Sequence, residues 1–168
     1  MEYEPDCCYN IIMFVLDIPG FGRLELEHFV SDFSGTLSED GSVLPGVKDK
    51  LKELSRQFCI HVLTSDTFGK AHEELKDVQC VLHVLAGSDH SDQKEAYIMK
   101  LGAEKVAALG NGNNDIHMLK KARLGIAVCL REGCSVDALK ASSILVGTPI
   151  DAIDLFLFPK RLIATLRR

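Results

Sequence analysis

The stretch His28-Phe29-Val30-Ser31-Asp32-Phe33-Ser34-Gly35-Thr36-Leu37 runs from apolar residues to a carboxylate and then to a glycine. A short apolar run of this kind reads as a buried strand. A carboxylate at the tip of such a strand is expensive to bury unless it binds something. Gly35 lets the backbone turn away and leaves nearby N–H groups facing an anion. Asp32 is therefore a candidate nucleophile or metal ligand, and the plainer reading is a strand-ending Asp in an Asx-turn.

Outward from this strand, short apolar runs alternate with amphipathic segments. That alternation predicts an α/β domain, a Rossmann-like three-layer sandwich with a mostly parallel sheet. Ile11–Ile18, the turn Pro19-Gly20-Phe21-Gly22 and Arg23–Glu27 read as an N-terminal β-hairpin. Pro45-Gly46 opens a helix with Val47, Leu51, Leu54 and Phe58 on one face. Further strands are expected at Ile60–Leu63, Val81–Leu85, Val106–Leu109, Ile126–Leu130 and Ile144–Val146. Helices are expected near Lys70–Lys76, from an N-cap at Asp92 to Leu101, over Asn114–Ala122, and after Pro149 and Pro159. Residues Met1–Asn10 show no periodicity and read as a disordered or upstream-start extension.

The composition suits a single folded domain. At 168 residues the chain can bury roughly 68–70% of its unfolded surface. Its net charge of −5, from 19 Lys plus Arg against 24 Asp plus Glu, gives no electrostatic reason to expect nucleic acid or an anionic membrane as partner. No uncharged apolar stretch is long enough for a membrane span. The acidic N-terminus does not resemble a secretory signal. The cysteines form no C-x-x-C pair and have no zinc-finger spacing, so they read as reduced thiols of a cytoplasmic protein, and a zinc or redox protein is disfavoured.

Ligands of an open α/β sheet sit beyond the carboxyl ends of its strands, and three more loops there carry reactive groups. Thr64-Ser65-Asp66 offers hydroxyls to a phosphate, although the same residues are ordinary helix-capping chemistry. Lys94 falls in the first turn of a helix, where a cation opposes the helix dipole unless an anion neutralises it. Its bland reading is a solvated surface lysine. Gly110-Asn111-Gly112-Asn113-Asn114-Asp115 supplies hard oxygen donors suited to Mg²⁺. It lacks the third glycine of a dinucleotide fingerprint, and its alternative reading is a polar turn.

Taken in order, Asp32, Thr64, Lys94 and Asp115 resemble the motifs of the haloacid dehalogenase superfamily of phosphohydrolases and phosphotransferases. Asp32-Phe33-Ser34-Gly35-Thr36 is similar to the D-K-T-G-T of the P-type ATPase phosphorylation domain. Thr64-Ser65-Asp66 is similar to its T-G-D, and Gly110–Asp115 to its G-D-G-x-N-D. From about Met13 onward the chain looks like a soluble, stand-alone relative of that domain, one hydrolase domain over residues 11–168.

The resemblance implies a Mg²⁺-dependent phosphohydrolase, phosphatase or ATPase-like, that forms an aspartyl phosphate on Asp32. Thr64 and Lys94 are implied on the phosphate oxygens, with Gly35 and Ser65 beside them. Asp32, the Ser34 carbonyl, Asn111 and Asp115 are implied as metal ligands, with Thr36, Asp66 and Asn114 in support. Two departures point to slow turnover. Ser34 stands where phosphatases of the family carry the acid–base aspartate, and Asn111 where they carry a carboxylate.

The segments Thr36–Thr64 and Asp66–Lys94 are too short for a cap domain. An open site suits an extended phosphorylated substrate or closure by another subunit, hence a homo-oligomer; the helix after Pro159 could contribute to such an interface, but packing on its own sheet is the favoured reading for it. The main alternative keeps the fold and makes the protein a degenerate phosphate- or nucleotide-binding regulatory module. A receiver-like signalling domain ranks lower, because receivers carry the phosphorylated Asp on their third strand.

Overall fold

A computed structural model describes residues 13–66 and 69–168. The extension expected at Met1–Asn10 lies outside the described residues.

Six short strands form one parallel sheet: β3 (His28–Asp32), β6 (Cys59–Thr64), β7 (Val81–Val84), β8 (Val106–Gly110), β9 (Leu124–Val128) and β10 (Ile144–Val146). Their spatial order is β10-β9-β8-β3-β6-β7. The chain therefore builds outward from β3 through β6 to β7, then crosses back to lay β8, β9 and β10 on the other side. Such a reversal leaves a crevice at the carboxyl ends of the two strands where the order changes. Here these are β3 and β8, paired in parallel from His28↔Val106 to Ser31↔Leu109. The α/β, Rossmann-like expectation holds.

The expected N-terminal hairpin is β1 (Phe14–Ile18) on β2 (Gly22–Leu26), antiparallel. A two-residue pair, β4 (Ser38–Glu39) and β5 (Ser42–Val43), follows the Asp32 loop as a small flap. The helices are α1 (Val47–Leu54), α2 (Ala71–Leu75), α3 (His90–Leu101), α4 (Ile116–Lys121), α5 (Val136–Ala141), α6 (Pro149–Leu157) and α7 (Pro159–Leu166).

Two apolar layers hold the sheet. On one side Phe29, Phe33, Ile60 and Val62 join Leu51 and Leu54 of α1 and Phe156 of α6. Phe14, Phe29 and Phe58 each pack their rings on Phe156, edge-on. On the other side Val30, Leu63 and Ala108 pack against Ile98 of α3, Met118 and Leu119 of α4 and Ala138 of α5. Strands buried on both faces explain why the apolar runs were continuous rather than alternating.

Several expectations change in detail. The first helical residue of α3 is His90 and its cap is Asp89, so Asp92 lies inside the first turn. Lys94 consequently stands past that turn, and it is fully buried rather than solvated. Helix α5 begins at a side-chain cap, with Ser135 accepting the Ala138 N–H. Its six residues were too few to show a period. The helix after Pro159 keeps its favoured placement: Leu162 of α7 is buried, and the helix packs against α6 and β1. Cys59 is disulfide-bonded, which corrects the reading of every cysteine as a thiol, whereas Cys129 and Cys134 are free. Local spacing detects only neighbouring pairs.

Candidate active site

Asp32 ends β3 and is almost fully buried. Beyond it the chain curls around the Phe33 carbonyl, which accepts the N–H groups of Thr36, Leu37 and Ser38 and the Ser38 hydroxyl. The tight curl needs Gly35 at φ +72°. It buries Thr36, whose hydroxyl donates to Asn111 Oδ1 at 3.2 Å.

Lys94 reaches the same point from α3. Its Nζ donates to Asp32 Oδ1 and to Asp115 Oδ1, each at 2.6 Å. The lysine and Asp115 have no exposed surface. Asp115 uses its other oxygen to accept the Asn111 and Gly112 N–H groups, at 3.0 and 2.9 Å. Three donors thus fix Asp115, and the loop after β8 is wound around it.

Burial, followed by the negative charge of Asp115, pushes the Asp32 carboxyl up to about 7 against the pull of Lys94. Burial lowers the Lys94 ammonium, but the two carboxylates outweigh it, and Lys94 is held above its ordinary value. One cation between two carboxylates leaves a net negative pocket.

Thr64 ends β6 and is buried, its Oγ1 accepting the Asp66 N–H at 2.8 Å. That bond leaves the hydroxyl proton available to another acceptor. Ser65 follows, half-buried. Asp66, at φ 47°, accepts the N–H groups of Lys70 and Ala71 and so caps the approach to α2. Asn114 lies exposed beside Gly112, away from the buried trio. Asn111 divides its amide between the Thr36 hydroxyl and the Gly133 carbonyl.

Asp32, Lys94 and Asp115 are thus in direct contact, and Thr64 ends the strand next to Asp32's. A hard cation suits the donors around them. Ser34 Oγ is buried with no hydrogen-bond partner among the described residues, a state that costs about 1–3 kcal/mol unless a ligand relieves it. The donor atoms are oxygens, as Mg²⁺ prefers.

One feature escaped sequence reasoning: the loop after β9, whose Glu132 side chain lies against Gly35. The strand-end rule that flagged the other loops applies to it equally. The strand expected over Ile126–Leu130 ends at Val128, which puts this loop beyond a strand end.

A family model for haloacid dehalogenase-like hydrolases matches residues 92–130, which carry Lys94 and the Asp115 loop. An uncharacterized protein of Methanocaldococcus jannaschii is 47% identical over 64 residues, 38% of this chain and 69% of the relative. The chain belongs to the haloacid dehalogenase-like hydrolases.

Similar solved structures include 3-deoxy-D-manno-octulosonate 8-phosphate phosphatase from Moraxella catarrhalis, determined in complex with magnesium ion, phosphate ion and a KDO molecule. It has a TM-score of 0.66 and 18% identity, covering 84% of this chain and 94% of that one. The cobalt-bound octulosonate 8-phosphate phosphatase of Haemophilus influenzae has a TM-score of 0.64 and 14% identity, covering 79% and 87%. Both show the shared fold. Among the described residues, no helix is long and apolar enough to cross a membrane.

Proposed function

We propose that the protein is a phosphohydrolase that works through phosphorylation of Asp32. The observation that carries this reading is the Lys94 ammonium held at 2.6 Å from both Asp32 and Asp115 at the sheet's crevice. A buried lysine there offsets the repulsion between an attacking carboxylate and a phosphate dianion. Asp32 attacks phosphorus and the leaving oxygen departs, and water then releases phosphate from the acyl phosphate. Lys94 and the Thr64 hydroxyl hold the equatorial oxygens, with Gly35 and Ser65 lining the same side. Asp115 fixes Lys94 and the Asn111–Gly112 backbone.

Asp32, the Ser34 carbonyl and Asn111 would hold Mg²⁺, with Asp115 close by. The ion would supply charge neutralisation of the phosphate.

Ser34 is no acid–base group at neutral pH, and general acid–base catalysis is worth about 10²–10⁴-fold. The protein is therefore a slow enzyme. No cap covers the crevice among the described residues: between Thr36 and the start of β6 at Cys59 lie only β4, β5 and α1. That openness favours an extended phosphorylated substrate or closure by a second copy. The competing reading, a degenerate phosphate-binding module, draws on Asn111, whose amide is already engaged by Thr36 and Gly133.

The test is phosphate release, with and without Mg²⁺, by wild type, Asp32→Asn and Ser34→Asp. Mg²⁺-dependent release that vanishes in Asp32→Asn is expected, together with faster release by Ser34→Asp. No release from any phosphate ester, anhydride or acyl phosphate would leave the binding-module reading.

A further inference from the structure

We infer that the Glu132 carboxylate supplies the divalent-cation site with the negative charge that Asn111 does not. The inference rests on the phosphohydrolase reading and adds to it a residue from outside the four motif loops.

Glu132 sits at the tip of the loop after β9, and that tip is tied down on both flanks. On one side the Arg131 N–H donates to Glu39 of the β4–β5 flap at 3.4 Å, and its guanidinium lies 3.9 Å from the same carboxylate. On the other, the Gly133 carbonyl accepts from Asn111 Nδ2 at 3.2 Å, and the Ser135 N–H donates to the Asn111 carbonyl at 2.8 Å. The Ser135 hydroxyl also bonds Asn113. The Gly133 N–H closes the turn on the Leu130 carbonyl at 2.9 Å. Glu132 is thus carried between the flap and the Gly110–Asp115 loop by a fixed backbone.

Its side chain turns toward the Asp32 loop. A Cβ placed on Gly35 would lie 2.8 Å from Glu132 Oε2 and 2.6 Å from Asn111 Nδ2. Carboxylate and amide therefore flank one point, kept open because residue 35 has no side chain. Glu132 makes no hydrogen bond or ion pair among the described residues.

Charge counting gives this placement a purpose. Asp32 and Asp115 share the single Lys94 ammonium, and the second oxygen of Asp115 is taken by two backbone N–H groups. Asp115 has little left to offer a cation, and Asn111 is neutral. Asp32 alone is a thin donor set, since protein sites for Mg²⁺ use one or two carboxylates plus substrate phosphate. Glu132 provides the second. Because it is exposed, solvent weakens its effect. The expected loss on its removal is that of a residue supporting a metal ligand, about 10–100-fold in affinity.

The test reads Mn²⁺ binding by electron paramagnetic resonance on the full chain, with no substrate present. Glu132→Gln is expected to weaken binding about tenfold or more while leaving the melting temperature in EDTA unchanged. Asp137→Asn, an exposed acid on α5 paired with Lys140, removes the same charge and is expected to leave affinity as it was. Asn111→Asp added to Glu132→Gln is expected to restore binding. Equal weakening by Asp137→Asn and Glu132→Gln would overturn the inference, as would a double variant no tighter than Glu132→Gln. Binding that needs Asp32 but ignores Glu132→Gln would overturn it alone and leave the phosphohydrolase reading standing. A wild type that binds no Mn²⁺ overturns it together with the cation part of that reading.

Discussion

Lys94 and Asp115 form an ion pair that neither side chain shares with solvent, Nζ and Oδ1 standing 2.6 Å apart. The same ammonium holds Asp32, so two carboxylates from different strand ends are joined through a third element, α3. Such an arrangement contributes little net stability, because desolvation offsets the attraction. Its effect is to hold two carboxyl groups in one buried pocket around a single ammonium, with Asp32 pushed up to about 7.

Breaking that bridge has a defined consequence. Lys94→Met leaves two carboxylates facing each other in a buried site, and removing one partner of a buried pair costs about 3–5 kcal/mol. Urea denaturation in EDTA at pH 8 is expected to show a loss of that order, and phosphate release should disappear. At pH 5, where Asp32 takes up a proton, the stability loss should shrink. An equal loss at both pH values would show that the two carboxylates do not repel each other.

Asp32 itself penalises folding at high pH. Its folded value of about 7 lies above its ordinary 3.8, so the folded chain keeps a proton that the unfolded chain has released. Stability then falls as pH rises through this window, by at most about 1.4 kcal/mol per unit, and the penalty is complete above it. In metal-free protein, Asp32→Asn is expected to gain on wild type between pH 5 and pH 8, read from urea midpoints. A difference that stays constant over that range would contradict the raised value.

The sheet was legible because β3, β6, β8 and β9 are buried on both faces and so appear as unbroken apolar runs. Asp32 and Asp115 stood out as carboxylates just beyond such runs. Lys94 was legible as a candidate but not as a buried one, because a helix beginning at His90 rather than after Asp92 changes both its turn and its exposure. Nothing local marks a lysine as buried, since its partners lie 62 and 21 residues away. Glu132 was hidden for a related reason: its relation to Gly35 spans the whole set of β3–β9 crossovers.

The sheet's tolerance is narrowest where β9 meets α4. A Cβ on Gly125 would stand 2.3 Å from the Leu119 carbonyl oxygen and 3.0 Å from its carbon. Both atoms are helix backbone and cannot swing aside, so Gly125→Ala is expected to cost about 3 kcal/mol or more. Gly87→Ala serves as comparison, because Gly87 has φ +71° and nothing within 4 Å. Only left-handed strain applies there, about 1–2 kcal/mol. Chemical denaturation yielding the reverse order would contradict the close approach of β9 and α4.

A second titrating cluster lies at the other end of β3. His28 Nδ1 and His61 Nε2 are 3.0 Å apart, and His61 Nδ1 is 2.9 Å from the Tyr97 hydroxyl. Glu27, Cys59, His83 and Lys105 border the group. Burial, then the charge of His28, lowers His61 to about 3, and burial lowers His28. Both rings are therefore neutral in the folded protein, and as pH falls below about 6.5 the unfolded chain gains protons that the folded one refuses. Stability is fully present above that value and is lost as pH falls toward 3, by at most about 1.4 kcal/mol per unit from His61. Asp32 acts with the opposite sign over much of the same range, so wild type hides the effect. The measurement belongs in the Asp32→Asn background, where adding His61→Asn should flatten the decline between pH 6.5 and 4. A slope that the second substitution leaves untouched would mean that His61 takes up its proton as readily folded as unfolded.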